Sequence, residues 1–232
     1  MKAGIIAAGL GERFRSAGFA TPKPLVRVGG KTLLERAIDS AACAGAEAVA
    51  LIVNAEFPEV TSYVRAERWP VPIELTVKTT PSSMESFFAL EPSLRDSPFL
   101  LTTVDAITAK GTLAALARAG LAAGPTGTLA VTSFVDYEKP LWVRLGPEGE
   151  IVALGVEAAG SGWVTSGAYF FFPVVYDHVC EARRRKLTAL REFLGLLLEQ
   201  GAPLSGFRAG DSVDVDRPED LAVAERFLKV DG

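Results

Sequence analysis

The sequence predicts an α/β fold built on a doubly wound, mostly parallel sheet. Apolar runs alternate with helical patterns from the N-terminus to about residue 134, and the first of them, residues 3–8, is continuously apolar. Such a run is typical of a parallel strand that is buried on both faces. Ligands of these sheets bind beyond the carboxyl ends of the strands, so the residues that follow the strands are the first candidates for a functional site.

Each element has its own local signal. The first strand ends at a glycine-rich turn, and Thr32-Leu33-Leu34-Glu35 is a capping-box pattern that predicts the start of a helix, which Gly45 ends. Further strands are predicted at 48–54, 73–79, 99–105 and 128–134, and helices near 60–69, 83–90 and 111–123.

The pattern changes after residue 134. Residues 142–156 are two alternating runs separated by Gly146-Pro147-Glu148-Gly149, which predicts a β-hairpin, and residues 162–172 predict one more strand. We therefore expect a small β-rich insertion at about 136–172. Two more helices are predicted, near 174–185 and 188–200.

The composition is that of a globular domain with a substantial core. Of 232 residues, 49% are hydrophobic and 22% are charged, and no stretch reads as a linker, so we expect one domain over residues 1–232. The net charge of −4 gives no indication of nucleic-acid binding, but residues 1–31 hold six Lys or Arg and one acid, a balance of +5 that leaves −9 for the rest. A positive end on an acidic protein suits a small anionic ligand.

Cysteine usage and hydropathy favour a cytoplasmic protein that does not bind membranes. Cys43 and Cys180 are far apart and lack a C-x-x-C or Cys/His pattern, so neither a disulfide framework nor a zinc site is predicted. The N-terminal apolar run is too short for a signal peptide, and no other segment is long enough to span a bilayer. His178 is the only histidine, so Ser/His/Asp catalysis has no support. A homo-oligomeric state is left open.

The first strand leads into a turn that is suited to an anion. Gly9 and Gly11 let the backbone take positive φ and let a ligand approach main-chain N–H groups, while Arg13 and Lys23 add positive charge. Taken alone, these residues are equally consistent with a surface turn and two solvated cations.

Two common phosphate-binding motifs are absent from this turn. A Rossmann fingerprint needs a third glycine where Phe14 stands, and the next strand ends at Asn54 rather than at a ribose-binding carboxylate. A P-loop that ended at Gly30-Lys31-Thr32 would need a glycine at Leu25. The turn is therefore neither a dinucleotide-binding nor a Walker-type site.

The stretch resembles the opening motif of the sugar-phosphate nucleotidyltransferases, the superfamily of the NDP-sugar pyrophosphorylases. In that motif A-A-G-x-G-x-R is followed, nine residues after the arginine, by P-K-P-L, and Arg13 and Pro22 have this spacing. The resemblance implies a Rossmann-like fold whose β-rich insertion forms the acceptor side. It also implies an enzyme that moves an NMP group from an NTP to a phosphorylated small molecule, a sugar-1-phosphate above all, and releases pyrophosphate with the help of Mg²⁺.

Three other functions stay open at this point. A cytidylyltransferase for phosphocholine or another alcohol phosphate would share the motif. A metal-dependent glycosyltransferase would use a D-x-D triplet, and Asp214-Val215-Asp216 has that form, but Arg13 and Lys23 would then have no role. A catalytically silent nucleotide-binding protein would tolerate departures from the family motif.

The resemblance assigns roles to individual residues. Arg13 and Lys23 would be the catalytic cations that hold the phosphates. Thr165 and Gly167, in a segment that falls where the family has N-x-G-x-Y, would contact the acceptor. The nucleotide-binding residues would be Ala7, Ala8, Gly9, Leu10, Gly11 and Ser83.

Two carboxylates are implied as the metal ligands. Asp105 ends the central strand and Asp214 lies in a segment that resembles D-x-G-T-P-E-D-L, and together they would hold Mg²⁺. The chain departs from the family at Val104 and Asp216, where glycine is common. We interpret Asp216 as the N-cap of the last helix, with Glu219 as its capping-box partner.

The sequence specifies neither the base of the NTP nor the acceptor. Family members that act on hexose-1-phosphates often carry an E-K-P segment before the N-x-G-x-Y strand. The corresponding place here, Val156-Glu157-Ala158, lacks the lysine, and Glu138-Lys139-Pro140 comes too early. Ser82 and Ser83 stand where the family has a G-T-A segment, at the start of a helix that would face the nucleotide.

Overall fold

The computed structural model describes residues 1–133 and 140–230 of the chain. The strands in these two ranges are, in chain order, β1 (Lys2–Ala7), β2 (Arg27–Val28), β3 (Lys31–Thr32), β4 (Val49–Val53), β5 (Ile73–Val77), β6 (Phe99–Thr103), β7 (Ala106–Thr108), β8 (Gly127–Thr132), β9 (Val143–Leu145), β10 (Ile151–Leu154), β11 (Val164–Phe171), β12 (Leu204–Arg208) and β13 (Ser212–Asp214). The α-helices are α1 (Glu12–Ser16), α2 (Leu33–Cys43), α3 (Pro58–Ala66), α4 (Ser83–Ala89), α5 (Glu91–Leu94), α6 (Thr112–Ala123), α7 (Val179–Arg184), α8 (Leu190–Glu199) and α9 (Asp220–Val230).

Seven of these strands form the central sheet, in the order β12-β8-β11-β6-β1-β4-β5. The pairs β6–β1, β1–β4, β4–β5 and β12–β8 are parallel, whereas β11 runs antiparallel to its neighbours β6 and β8. The prediction of a doubly wound, mostly parallel sheet is confirmed. Among the helices of the two described ranges, none has the length and apolar character that crossing a membrane requires.

Two hydrophobic clusters cover the two faces of the sheet. Successive strand residues point to opposite faces. Ile5 and Phe170 accordingly lie in one cluster, and Ile6 and Phe171 in the other. The first cluster packs under α2, α3, α6 and α9, and the second under α4, α5, α7, α8 and the β9–β10 hairpin.

Local signals account for several element boundaries. The predicted capping box at the start of α2 is formed: Thr32 Oγ1 accepts from the Glu35 N–H (3.0 Å), and the Glu35 carboxylate accepts from the Thr32 N–H. The helix predicted near 174–185 begins instead as a 3-10 segment, Pro173–His178, which α7 then continues.

The β-rich region is divided between two sheets. β9 and β10 form the predicted hairpin as a separate antiparallel pair, and the third predicted strand of the region is β11, inside the central sheet. The end of the strand predicted at 128–134, the first residues of the insertion predicted at 136–172, and Glu138 and Lys139 lie outside the described residues.

A short antiparallel pair, β7 with β13, brings the C-terminal segment to the centre of the molecule. Asp214 is the register partner of Ala106, the residue after Asp105. The Val215 N–H also donates to the Asp105 carbonyl (3.1 Å). Two segments that are more than a hundred residues apart in sequence therefore meet beyond the carboxyl end of β6.

The packing of α6 on β11 leaves no room for a side chain at Gly120. A Cβ at this position would lie 2.2 Å from Phe170 Cδ1, and Phe170 is fully buried. We expect Gly120→Ala to lower the free energy of unfolding by about 1–3 kcal/mol, the usual effect of overpacking a core. Equilibrium unfolding in urea measures the change.

Gly195, inside α8, is the matched control for this substitution. A Cβ there would meet no atom within 4 Å. Gly195→Ala should raise the free energy of unfolding by up to ~1 kcal/mol, because alanine has the better helix propensity. If the two variants were equally stable, α6 and β11 would pack less closely than the structure has them.

Candidate active site

A cleft of about 480 Å³ lies at the carboxyl ends of β1 and β6, where a doubly wound sheet binds its ligands. Many of the predicted site residues line it: Ala7, Ala8, Gly9, Leu10, Gly11, Arg13, Lys23, Ser83 and Asp105. A larger cavity of about 640 Å³ is lined by residues of α2, α6 and α9 and contains none of the predicted residues. The chemistry is therefore expected in the smaller cleft.

The turn after β1 owes its shape to Gly11. Gly11 takes a left-handed conformation (φ 61°) before α1, and a Cβ on it would lie 3.1 Å from Lys23 Cβ. Positive φ was also expected for Gly9, and this prediction is wrong. A Cβ at Gly9 would meet no atom within 4 Å. Gly11 thus lets the turn approach Lys23, and Gly9 leaves space for a ligand beside the backbone.

Asn54, a buried residue directly after β4, holds the start of this turn. Its Nδ2 donates to the Ala8 carbonyl (3.0 Å), and its Oδ1 accepts from the Glu56 N–H (2.9 Å) and from Thr79 Oγ1 (2.7 Å). A side-chain amide can do this because it offers donors and an acceptor on one planar group. The segments that follow β1, β4 and β5 are thereby fixed to one another.

The segment before α4 forms another wall of the cleft. Ser82 Oγ accepts from the Glu85 N–H (3.2 Å) and so caps α4. The buried Ser86 hydroxyl donates to the Ser82 carbonyl (3.0 Å) and is hydrogen-bonded to Thr80 Oγ1 (2.5 Å). Ser83 is exposed and lines the cleft together with Ser82, as expected for the start of a helix that faces the nucleotide. Thr80 and Ser86 also line the cleft and were not predicted.

Lys23 is at the centre of the charged groups in the cleft. Its ammonium donates to Asp105 Oδ2 (2.5 Å) and to Asp216 Oδ1 (2.7 Å), and its side chain is 12% exposed. Burial disfavours the charged form, but the two carboxylates outweigh burial and raise the pKa of Lys23 above its ordinary value. Burial likewise opposes ionisation of Asp105, yet the Lys23 ammonium keeps the pKa of Asp105 below its ordinary value. Both groups are therefore charged at neutral pH.

Asp214 is the least satisfied carboxylate of this cluster. Its Oδ1 is buried and has no hydrogen-bond partner among residues 1–133 and 140–230. Burial, followed by the nearby carboxylates of Asp105 and Asp216, raises the pKa of Asp214 well above its ordinary value of 3.8. A buried carboxylate oxygen without a donor is suited to a cation.

Gly167 lies beside Asp214, at an irregularity in β11. The register between β11 and β8 shifts between Thr165 and Tyr169. Gly167 there has φ 73°, and a Cβ on it would lie 3.0 Å from Ala106 Cβ and 3.7 Å from Asp214 Oδ1. Burial raises the pKa of Tyr169 to about 12, and the Tyr169 side chain is hydrogen-bonded to Thr165. Neither Thr165 nor Gly167 lines the cleft itself.

The prediction that Asp216 caps the last helix is wrong. α9 begins at Asp220, after a turn that involves residues 217–219. The Asp220 carboxylate accepts from the N–H groups of Asp216 (2.8 Å) and Arg217 (2.7 Å). The Asp216 side chain faces the cleft, where Oδ1 accepts from Lys23 and Oδ2 accepts from Arg13 NH1 (2.8 Å). Asp216 is thus a site residue that sequence reasoning missed.

Comparison with known proteins identifies the family of the chain. The model of one protein family, described as the MobA-like NTP transferase domain, matches residues 3–202. The chain belongs to this family. The match includes the turn after β1, Lys23 and Asp105, so the charged cleft lies within the matched NTP transferase domain, whereas Asp214 and Asp216 follow its matched part.

Several relatives of this NTP transferase domain are named as mannose-1-phosphate guanyltransferases. The mannose-1-phosphate guanyltransferase of Neurospora crassa is 29% identical over 232 residues, which are 95% of this chain and 62% of that protein. The mannose-1-phosphate guanyltransferase of Schizosaccharomyces pombe is 31% identical over 190 residues, 77% of this chain and 52% of that protein. The chain therefore spans less than two thirds of the length of these relatives.

Solved structures share the fold of this NTP transferase domain. The inositol-1-phosphate CTP transferase of T. maritima superposes with a TM-score of 0.81 at 21% identity, over 99% of this chain and 95% of that one. A UDP-glucose pyrophosphorylase complexed with UDP-glucose gives a TM-score of 0.81 at 16% identity, over 99% of both chains. At these identities the similarity establishes the fold.

The carboxylates of Asp105 and Asp214 fit a divalent cation, which nucleotidyltransferases of this family generally use. In the described part of the chain, no group of three or more His, Cys, Asp or Glu is arranged as a metal site. Asp105 and Asp214 nevertheless suit an ion that takes its remaining ligands from phosphate oxygens and water. The unpaired Asp214 Oδ1 is the observation that supports this fit.

Asp214 should make the metal-free protein less stable as pH rises. Its pKa in the folded state lies above the ordinary 3.8, so folding takes up a proton between these two values. We expect Asp214→Asn to raise the melting temperature of the metal-free protein by a few degrees at pH 8, and we expect this gain to shrink as pH falls toward 4. Thermal unfolding in EDTA at several pH values measures it.

Asp211→Asn serves as the control, because Asp211 is an exposed carboxyl on the same segment. It should leave the melting temperature unchanged throughout. A melting temperature that is lower for Asp214→Asn than for the wild type at every pH would mean that the Asp214 carboxylate is stabilised by partners in the fold, contrary to its environment here.

Proposed function

We propose that this chain transfers an NMP group from an NTP to a phosphorylated small molecule, with Mg²⁺ and with release of pyrophosphate. The observation that carries the proposal is the position of Lys23. It is a largely buried cation held between two carboxylates at the carboxyl end of the sheet, next to a glycine turn and Arg13. That combination suits a reaction in which two polyanions must be brought together.

The proposed chemistry needs no general base. The attacking group is a phosphate monoester, whose second pKa is about 6, so it is already an anion near neutral pH. Its oxygen attacks the α-phosphorus in line, and the bond from that phosphorus to the bridging oxygen of pyrophosphate breaks. The protein must position the two reactants and stabilise charge in the transition state.

The cations of the cleft divide this work. Lys23 contacts the α-phosphate and the incoming phosphate, and its raised pKa keeps it charged throughout the working pH range. Arg13, at the start of α1, holds the β- and γ-phosphates, for which a planar guanidinium is well suited. The backbone of Gly9 and Gly11 approaches the triphosphate closely, supported by the Asn54 contact to Ala8.

Mg²⁺ is the divalent ion that we propose for the site, with Asp105 and Asp214 as its protein ligands. When bound, it neutralises charge on the phosphates and orients them for in-line attack. Asp214 Oδ1, which has no donor within the described part of the chain, supplies one oxygen ligand. Gly167 lies beside that oxygen: a Cβ at Gly167 would be 3.7 Å from it.

The nucleoside and the acceptor occupy different sides of these phosphates in the proposal. The segment Thr80–Ser83 with Leu10 faces the base and ribose, and Thr165, Gly167 and the β9–β10 hairpin form the acceptor side. A sugar-1-phosphate is the first candidate acceptor, because mannose-1-phosphate guanyltransferases are among the relatives. An alcohol phosphate is the second, because the fold is also that of an inositol-1-phosphate CTP transferase and Val156-Glu157-Ala158 lacks the lysine of the hexose-specific motif.

The cytoplasm is the compartment that we propose. Cys43 and Cys180 are both exposed free thiols, which suits a reducing environment. NTPs and phosphorylated metabolites are the proposed partners.

A substrate panel tests the proposal directly. The protein is incubated with each NTP, Mg²⁺ and a set of sugar-1-phosphates and alcohol phosphates, and pyrophosphate is measured. We expect release only when an NTP and one phosphorylated acceptor are both present. Consumption of a nucleotide sugar with release of a nucleoside diphosphate would instead establish a glycosyltransferase, and tight NTP binding without turnover would establish a silent nucleotide-binding protein.

Lys23→Met tests the central residue in the same assay. We expect kcat to fall by about a hundredfold or more with a smaller change in KM for the NTP, because the charge of Lys23 is needed most where the phosphates converge. Lys31→Met is the matched control, since Lys31 also pairs with an aspartate, Asp39 (2.6 Å), but lies outside the cleft. A Lys23→Met variant with unchanged kcat would remove Lys23 from the reaction.

A further inference from the structure

Asp216 bridges the two cations that the proposed function assigns to the triphosphate. Each of its carboxylate oxygens accepts from a different one: Oδ1 from Lys23 Nζ (2.7 Å) and Oδ2 from Arg13 NH1 (2.8 Å). These contacts span 193 and 203 residues of sequence, so no local pattern produces them.

The position of Asp216 is fixed by its backbone. β13 ends two residues earlier and is paired with β7. The N–H groups of Asp216 and Arg217 both donate to the Asp220 carboxylate at the start of α9. The carboxylate is therefore presented to the cleft by a well-anchored loop, and its own side-chain rotation is the freedom that remains.

A carboxylate in this position makes the contacts that a phosphate group would make. Arg and Lys bind carboxylate and phosphate oxygens through the same charge-assisted hydrogen bonds. Asp105 also pairs with Lys23, but its side chain is 23% exposed against 43% for Asp216. Asp216 is thus the partner of Lys23 that is better able to turn out into solvent.

We propose that Asp216 is an internal substitute for a substrate phosphate: it occupies Lys23 and Arg13 in the ligand-free protein, and a bound triphosphate displaces it. This proposal rests on the proposed function, because it takes both cations as phosphate ligands. It makes Asp216 a determinant of selectivity. A ligand must interact with Lys23 and Arg13 more strongly than a single carboxylate does. Highly charged polyphosphates therefore bind, and weakly charged anions are excluded.

The alternative is that Asp216 positions Lys23 and Arg13 for the ligand. The two roles predict opposite changes in anion affinity when Asp216 is removed. If Asp216 held Lys23 and Arg13 in place for the ligand, its removal would weaken anion binding. If Asp216 competes with the ligand, its removal strengthens binding. The change in affinity for a simple polyphosphate therefore decides between them.

The experiment uses inorganic pyrophosphate as the probe, without metal, at pH 7.5 and low salt. Isothermal titration calorimetry compares the full chain with Asp216→Asn, which keeps the shape of the side chain, and Asp216→Gly, which removes it. We expect both variants to bind pyrophosphate more tightly, by about tenfold or more, because the charge-assisted contacts of Asp216 no longer compete with the ligand. Unchanged or weaker binding by both would overturn the proposal.

Two controls separate displacement from a general effect of negative charge. Glu12 also lines the cleft, so Glu12→Gln removes a nearby charge that makes neither of the two contacts of Asp216. We expect it to change the affinity much less than Asp216→Asn does, and an equal gain would overturn the proposal. In a Lys23→Met background, part of the gain from Asp216→Asn should be lost, because one of the two competing contacts of Asp216 is gone and only the one to Arg13 is left. A gain that persisted in full there would also overturn it.

The same titrations distinguish the failure of this proposal from that of the proposed function. Unchanged or weaker binding by the Asp216 variants, with pyrophosphate bound by the wild type, would overturn displacement and leave the phosphate site intact. Absence of binding in the wild type and in every variant would overturn displacement, and the substrate panel with Mg²⁺ would decide the proposed function separately.

Discussion

The contact between Lys23 and Asp105 is the interaction on which the cleft depends. Three carboxylates converge at the end of β6, and like charges at such distances oppose each other's ionisation. The ammonium of Lys23 offsets this repulsion for Asp105 and holds its pKa below the ordinary value, while Asp214 is left with a raised pKa. A buried ion pair contributes little net stability, so this arrangement is better explained by the site than by the fold.

Most of the architecture was predictable because its signals are local. Continuous apolar runs predicted β1, β4 and β6, and the capping box at Thr32 predicted the start of α2. Elements without such signals were missed. β12 is a short strand with partly exposed residues, and β13 is three residues long; their strand conformation depends on pairing with β8 and β7, which are distant in sequence.

The site residues with local sequence signals were likewise predicted, and Asn54 and Asp216, which depend on contacts distant in sequence, were missed. The turn, Arg13 and Lys23 were found because their spacing within one short stretch resembles a family motif. Asn54 was read from sequence only as the place where a carboxylate is missing, although an amide directly after a buried strand is a signal for contacts to the neighbouring strand ends. Asp216 was interpreted wrongly because Arg217-Pro218-Glu219 is a good local capping pattern. Its carboxylate instead pairs with Arg13 and Lys23, which are distant in sequence.

The reversed direction of β11 has a consequence for how this protein could change its acceptor. The chain leaves β8 at the edge of the sheet that carries the cleft, and because β11 is antiparallel, it re-enters the sheet at that same edge. The β9–β10 hairpin lies between these two points, so it can be lengthened, shortened or replaced without any crossover connection being rebuilt. If the hairpin forms the acceptor side as proposed, the acceptor site can be altered without a change in the parallel strands and connections that surround the cleft.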